Sequence, residues 1–195
     1  AGPLRRPSEI DKFVKVILIC DGCGVTPIYP IAKKLKLLGN KVIGIIGYRN
    51  KNLMFWEEKM KTVLDELHVA TNDGSYGKKG FVTDVLKIIL EEEKIDRIIA
   101  IGPPIMMRAV SDMTKSLGIK TIASINSIML DGVGMCGVCR VEVGGKTKFS
   151  CYDGPDFDAH LVNWDLLMQR NATYVEEEKI AYGKCQIEGD ICYKK

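Results

Sequence analysis

Two rhythms of apolar residues alternate along the first two thirds of the chain. Residues 14–20 (VKVILIC), 41–47 (KVIGIIG), 96–101 (DRIIAI) and 120–125 (KTIASI) are near-continuous apolar runs, as strands covered on both faces require. A shorter run at 66–71 adds a fifth strand. Between the runs, residues 27–38 (PIYPIAKKLKLL), 53–61, 80–94 (GFVTDVLKIILEEEK) and 104–117 carry apolar side chains at helical spacing. In the third of these, Val82, Val85, Leu86 and Ile89 share one face. Proline near the first turn and Gly39 past the last residue mark the ends of the first helix. Strands alternating with helices predict an α/β domain around a five-stranded parallel sheet.

The pattern changes at Ser127. Residues 129–155 are rich in Gly and Cys and hold one hairpin signal: 140–143, then Gly144-Gly145, then 147–150. Beyond lie a short helix near 161–170 and a weakly patterned tail. The expected division is an α/β domain over 1–126, a small Cys-rich subdomain over 127–160, and a C-terminal helix and tail over 161–195. Ala1-Gly2-Pro3 lacks an initiator Met and reads as the exit from a preceding element, so an N-terminal portion is expected ahead of it.

Composition narrows the function classes. Of 195 residues, 46% are apolar and 27% charged, enough to bury a real core. The formal charge of +3 is spread among both signs, which argues against nucleic acid. No run approaches the ~20 apolar residues of a membrane span. Seven cysteines without a signal-peptide pattern read as metal ligands or thiols of a cytoplasmic protein.

The spacing Asp131-x₄-Cys136-x₂-Cys139, with Cys151 returned by the hairpin, is that of a plant-type [2Fe–2S] site with Asp in the first ligand position. Gly132, Gly134 and Gly137 suit a loop that must turn its amide hydrogens toward sulfide. Two other readings stay open: a structural zinc site using the three cysteines with Asp131 or His160, and buried thiols without a ligand. Cys185 and Cys192 fit no ligand spacing. Cys20 and Cys23 form a C-x₂-C pair at a strand-to-helix turn, to be read as packing residues or as a redox pair.

After the first strand, Gly22-Cys23-Gly24-Val25-Thr26-Pro27 opens directly into a helix, where backbone and helix dipole can meet a diphosphate. Ligands of such sheets lie at the carboxyl ends of the strands. There the chain offers Gly47, Arg49 and Asn50 after the second strand, Asp73 and Gly74 after the third, and Gly102, Pro103, Pro104 and Met106 after the fourth. Arg49 reads as a phosphate partner or a solvated charge, and Met106 and Met107 as ligand contacts or core.

These segments, with Asn72-Asp73-Gly74-Ser75-Tyr76-Gly77, Ala100 through Met107, and Cys151 through Phe157, resemble the FAD/NAD-binding iron–sulfur electron-transfer subunits of the ferredoxin-reductase superfamily. Within that superfamily the chain is similar to the small (alpha) subunit of NADH-dependent ferredoxin:NADP oxidoreductases and to the dihydroorotate dehydrogenase electron-transfer subunit. Asp131 favours the former. The resemblance implies a sheet of the ferredoxin-reductase NAD-binding type, NAD(H) or NADP(H), and a [2Fe–2S] cluster on Asp131, Cys136, Cys139 and Cys151. It also implies FAD held by an N-terminal β-barrel domain absent from this chain, so the piece is expected to be inactive alone. The implied partner is a larger flavin/iron–sulfur subunit, with ferredoxin a further candidate. Cofactors carry the chemistry, and no side chain is expected to act as acid, base or nucleophile. His68 and His160 are expected to be surface or packing residues. Arg49, Lys51, Lys78 and Lys79 are the available partners for a 2′-phosphate. The rival from another class is a zinc-stabilised nucleotide-binding module without catalysis. The family usually has glycine where this chain has Cys20 and Asp21, and an acidic Asp21 beside a diphosphate is expected to repel it.

Overall fold

Strand β1 (Lys15–Asp21) is buried from Val16 through Cys20, the outcome its uninterrupted apolar run demands. The structure is a computed structural model and describes residues 6–187. Parallel neighbours flank β1 on both sides, β2 (Lys41–Tyr48) and β5 (Arg97–Ile101). Beyond β2 come β3 (Glu66–Thr71) and the two-residue β4 (Lys78–Lys79). Beyond β5 come β6 (Lys120–Ser124) and β9 (Asp156–Asp158), giving the order β4-β3-β2-β1-β5-β6-β9. A separate hairpin joins β7 (Arg140–Val143) to β8 (Lys146–Phe149).

The sheet therefore has seven strands, where the apolar runs predict five. The two additions are too short to carry a hydrophobic run. β4 pairs through only two residues, and β9 is three residues that close the far edge antiparallel to β6. β9 comes from the segment just after Cys151, so the Cys-rich part is tied into the main sheet.

Helices cover both faces. Helix α1 (Val25–Leu37) and the short α2 (Glu57–Lys61) cover Val16, Leu18 and Cys20, while α3 (Val82–Glu92) and α4 (Pro104–Lys115) cover Ile17 and Ile19. α1 starts two residues before the predicted 27–38 span, and Pro30 lies inside it. The predicted helix over 53–61 is shorter, because Trp56 adopts φ 64°, a left-handed conformation that no helix continues through. At the C-terminus, α5 (Trp164–Asn171) falls in the expected region, and the tail continues as α6 (Val175–Ile187). α6 is exposed over nearly its whole length, so its sequence carries no apolar stripe by which to recognise it. No helix among the described residues is long and apolar enough to cross a membrane.

The amino-terminal entry to β1 hangs on one buried side chain. Asn40 accepts from the amides of Phe13 (2.7 Å) and Val14 (3.0 Å) and donates to the carbonyls of Asp11 and Leu35 (both 2.9 Å). Asn40→Ala should destabilise the chain by about 2 kcal/mol, because orphaned backbone groups lose a buried partner. Urea unfolding checks this, and a change below about 0.5 kcal/mol would show that water replaces the amide without cost.

Candidate functional site

The chain builds β1, β2 and β3 outward in one direction and then returns to place β5 against the opposite edge of β1. Between β1 and β5 the strand order reverses, and sheets of this kind take their ligands beyond the carboxyl ends at such a point. The turn at this point is Gly22-Cys23-Gly24, a single 3₁₀ turn running directly into α1. Gly24 is required sterically, since a methyl there would collide with the carbonyl oxygen of Ile101. The Thr26 hydroxyl donates to the Cys23 carbonyl (2.9 Å) and stiffens the helix start. Val25 is buried beneath the turn and Pro27 is exposed beside it.

Gly22 and Gly24 form the turn after β1, while Gly47 and Gly102 lie on either side of Asp21, with Val82 and Met106 closing on them. A methyl at Gly102 would lie 3.2 Å from the Asp21 amide nitrogen, and one at Gly47 would lie 3.3 Å from Asp21 Oδ1. Asp21 is half-buried. Loss of water raises its carboxyl above the ordinary value, opposed by the Gly22 amide that donates to it and by the charge of Arg49.

Other expected contacts are placed differently. Arg49 is exposed at the carboxyl end of β2. Asn50 uses its side chain to cap a 3₁₀ turn, accepting from the Leu53 amide at 3.2 Å. Asp73 accepts from the Ser75 amide (2.9 Å) and hydroxyl (2.7 Å), which holds its carboxyl below the ordinary range and shapes the turn at Gly74. Ser75 in turn accepts from the Lys51 amide (2.8 Å), knitting the loops after β2 and β3 together. Pro103 and Pro104 open α4; Met107 is fully buried in the core, and Met106, also buried, brings its terminal methyl against Gly102.

Sequence reasoning missed an aromatic cavity beside those loops. It is an open groove of about 480 Å³ lined by Lys51, Met54, Phe55, Trp56, Glu57, Glu58, Lys59 and Tyr76. Lys59 Nζ sits 3.6 Å from the Trp56 ring centre, and Tyr76 donates to Glu57 at 2.9 Å. The adjacent Phe55-Trp56 pair after the second strand was the available signal. The left-handed Trp56 aims its ring where a regular helix start would not.

The cysteine segment presents its donors as two pairs. Asp131 accepts from the amides of Val133 (2.9 Å), Met135 (3.1 Å) and Cys136 (2.6 Å), which lower its carboxyl pKa together with the Cys136 thiol. Cys139 and Cys151 are buried with their sulfurs 3.2 Å apart. Loss of water and the Cys139 sulfur push the Cys151 thiol up to about 11, while the Gly134 amide, aimed at it, works the other way. Gly132, Gly134 and Gly137 all have positive φ (72°, 84° and 68°), so the loop can turn those amides inward.

Among the described residues no three such side chains converge on a single metal point. One carboxylate and three thiols at this spacing are the donor types that a two-iron cluster takes. The two pairs thus fit the cluster by donor chemistry. His160, the zinc reading's alternative ligand, is elsewhere, 3.0 Å from the Thr114 hydroxyl. His68 is half exposed on β3. Cys20 is buried and Cys23 exposed, and they are not bonded to each other. Cys185 is exposed on α6, and Cys192 lies outside the described residues.

Packing holds the loop from behind. The Cys139 carbonyl accepts from the Ser150 amide (3.0 Å) and, at 3.4 Å, from the buried Ser127 hydroxyl. Arg170 of α5 reaches the Val138 carbonyl at 3.0 Å.

Comparison with known proteins agrees with this division of labour. Residues 18–112 match the oxidoreductase NAD-binding domain, and residues 126–163 match the iron–sulfur cluster binding domain of dihydroorotate dehydrogenase B. The chain is 47% identical over 196 residues to an uncharacterised Clostridium beijerinckii protein, covering 96% of this chain and 65% of that protein. It is 45% identical over 181 residues to the dihydroorotate dehydrogenase B (NAD(+)) electron transfer subunit homolog of Thermotoga maritima, covering 93% of this chain and 64% of that protein. A chain of the NADH-dependent reduced ferredoxin-NADP oxidoreductase structure superposes with a TM-score of 0.86 at 43% identity, over 94% of this chain and 66% of that one. The chain thus spans about two thirds of the length of each.

Asp131→Ala should leave three loop amides without their acceptor. Hydrogen exchange at Met135 and Cys136 is expected to speed up by about tenfold or more. Unchanged protection would mean that the carboxylate does not order the loop.

Proposed function

We propose, for a chain that belongs to the family of dihydroorotate dehydrogenase B-type iron–sulfur electron-transfer subunits, that it is the dinucleotide- and cluster-holding part of an NAD(P)H-dependent oxidoreductase subunit. The observation that carries the reading is the pairing of donors, Asp131 with Cys136 in the glycine-rich loop and Cys139 with Cys151 across the β7–β8 hairpin.

Each part of the chain has a physical task. The Gly22-Cys23-Gly24 turn lets backbone amides at the start of α1 approach a diphosphate, with helix polarity favouring its charge. The aromatic cavity at Phe55, Trp56 and Tyr76 offers ring faces for the adenosine end. Arg49, Lys51, Lys78 and Lys79 stand at the exposed rim. Asp131, Cys136, Cys139 and Cys151 would hold the [2Fe–2S] group, with the Gly134 amide directed at a ligand sulfur. When bound, the nicotinamide and flavin supply hydride chemistry, and the cluster divides the electron pair into single-electron steps.

In this reading the flavin is held by a preceding domain, this chain alone turns over no substrate, and a larger flavin/iron–sulfur subunit or a ferredoxin exchanges electrons at the exposed loop around Met135 and Cys136. The identity and structural likeness to the ferredoxin-NADP oxidoreductase chain support that branch. The Thermotoga maritima relative supports a dihydroorotate dehydrogenase partnership. Co-expression of the full-length gene with its neighbour, assayed with ferredoxin and with dihydroorotate, separates the two.

Protein prepared without oxygen should be red-brown, with broad visible absorption that bleaches on dithionite. Serine in place of Cys136, Cys139 or Cys151 should remove most of that absorption. Colourless protein with stoichiometric zinc would overturn the reading.

A further inference from the structure

The carboxyl ends of β1 and β5 carry one feature that the glycines do not explain. Asp21 ends β1 in register with Gly47 of β2, and its side chain shares a face with Ile17 and Ile19, the face covered by α3 and α4. Its Oδ1 points toward Gly47, and its Cβ lies 3.4 Å from where a methyl of Gly102 would be. The carboxylate thus stands on the α3/α4 face, whereas α1, whose first turn suits the diphosphate, packs on the opposite face. Its one named donor is the Gly22 amide, and Arg49 acts on it only through space. Among the described residues no side chain forms an ion pair with it. A half-buried carboxylate therefore keeps acceptor capacity at the carboxyl ends of β1 and β2, between Gly47 and Gly102, with Val82 and Met106 as the nearest side chains to those glycines. Burying such a group without a donor is costly, so it is matched to a ligand that brings one.

We propose that Asp21 is a specificity-determining residue that accepts a hydrogen bond from the nicotinamide-riboside half of the dinucleotide, through a ribose hydroxyl or the carboxamide N–H₂. This rests on the dinucleotide reading above and deepens it. A dinucleotide whose diphosphate lies on the first turn of α1 and whose adenosine lies by Trp56 must carry its other half across the ends of β1 and β5. Those are the strands whose ends Asp21 and Gly102 occupy. The placement also revises the expectation from sequence that Asp21 acts by repelling the diphosphate. A charge on the other face is better sited to meet the uncharged donors of the riboside.

Two ligands separate the possibilities. NADH carries the nicotinamide riboside, and ADP carries adenosine and diphosphate without it. Titration calorimetry of the 195-residue chain with each should show Asp21→Ala weakening NADH by about tenfold or more, the loss of a charge-assisted hydrogen bond. Asp21→Asn, which keeps an uncharged acceptor, should fall between. ADP affinity should be unchanged in both variants, which also reports that they are folded. NADH affinity that is unchanged or tighter in Asp21→Ala overturns the inference, and equal tightening of NADH and ADP assigns the residue to diphosphate repulsion. Failure of the unsubstituted chain to bind either ligand sinks the dinucleotide reading and this inference with it.

Discussion

The amide hydrogens of the loop from 131 to 139 must point inward, and much of the molecule serves that constraint. A loop that surrounds an anionic group cannot leave its N–H groups to water. It needs residues that accept left-handed conformations and an acceptor that holds the turn meanwhile. Glycines at 132, 134 and 137 meet the first need, and the Asp131 carboxylate, receiving three amides, meets the second. The same carboxylate is one of the four proposed donors. Loading the site would therefore redistribute those hydrogen bonds.

The second pair depends on the fold rather than on the loop. Cys139 and Cys151 meet because the hairpin of β7 and β8 returns the chain through a right distance, and because the main sheet fixes the hairpin's far end. The Ile125 amide donates to the Pro155 carbonyl at 2.9 Å, and β9 then pairs with β6. Arg170 of α5 fastens Val138 from the other side. The cysteine-rich segment is thereby continuous with the sheet whose opposite region carries the glycine turn. A single hydrophobic framework positions both sites.

The sequence was legible where burial is complete and periodic. Strands β1, β2, β5 and β6 follow from apolar runs, and α3 from one apolar face. It was illegible where structure rests on a few backbone bonds. β4 and β9 are too short to show a period, and α6 is exposed on nearly all sides. In the proposed site, ligand spacing named four candidate donors, but not that Asp131 serves as an acceptor for its own loop. Glycines marked the turn between β1 and α1. The side chains of Asn50 and Asp73 proved to be occupied within their own turns, and Met106 lies in the core. The aromatic cavity escaped notice because its shape depends on Trp56 holding φ 64°, a conformation that composition does not announce.

Pairing of the donors is the central claim, and Mössbauer spectroscopy of the oxidised, ⁵⁷Fe-loaded protein tests it most directly. Two irons held by unlike pairs, one with a carboxylate oxygen and one with thiolates only, should give two quadrupole doublets of equal area. A lone mononuclear iron signal, or two irons that cannot be told apart, would contradict a two-iron site held by the Asp131 carboxylate and three thiolates.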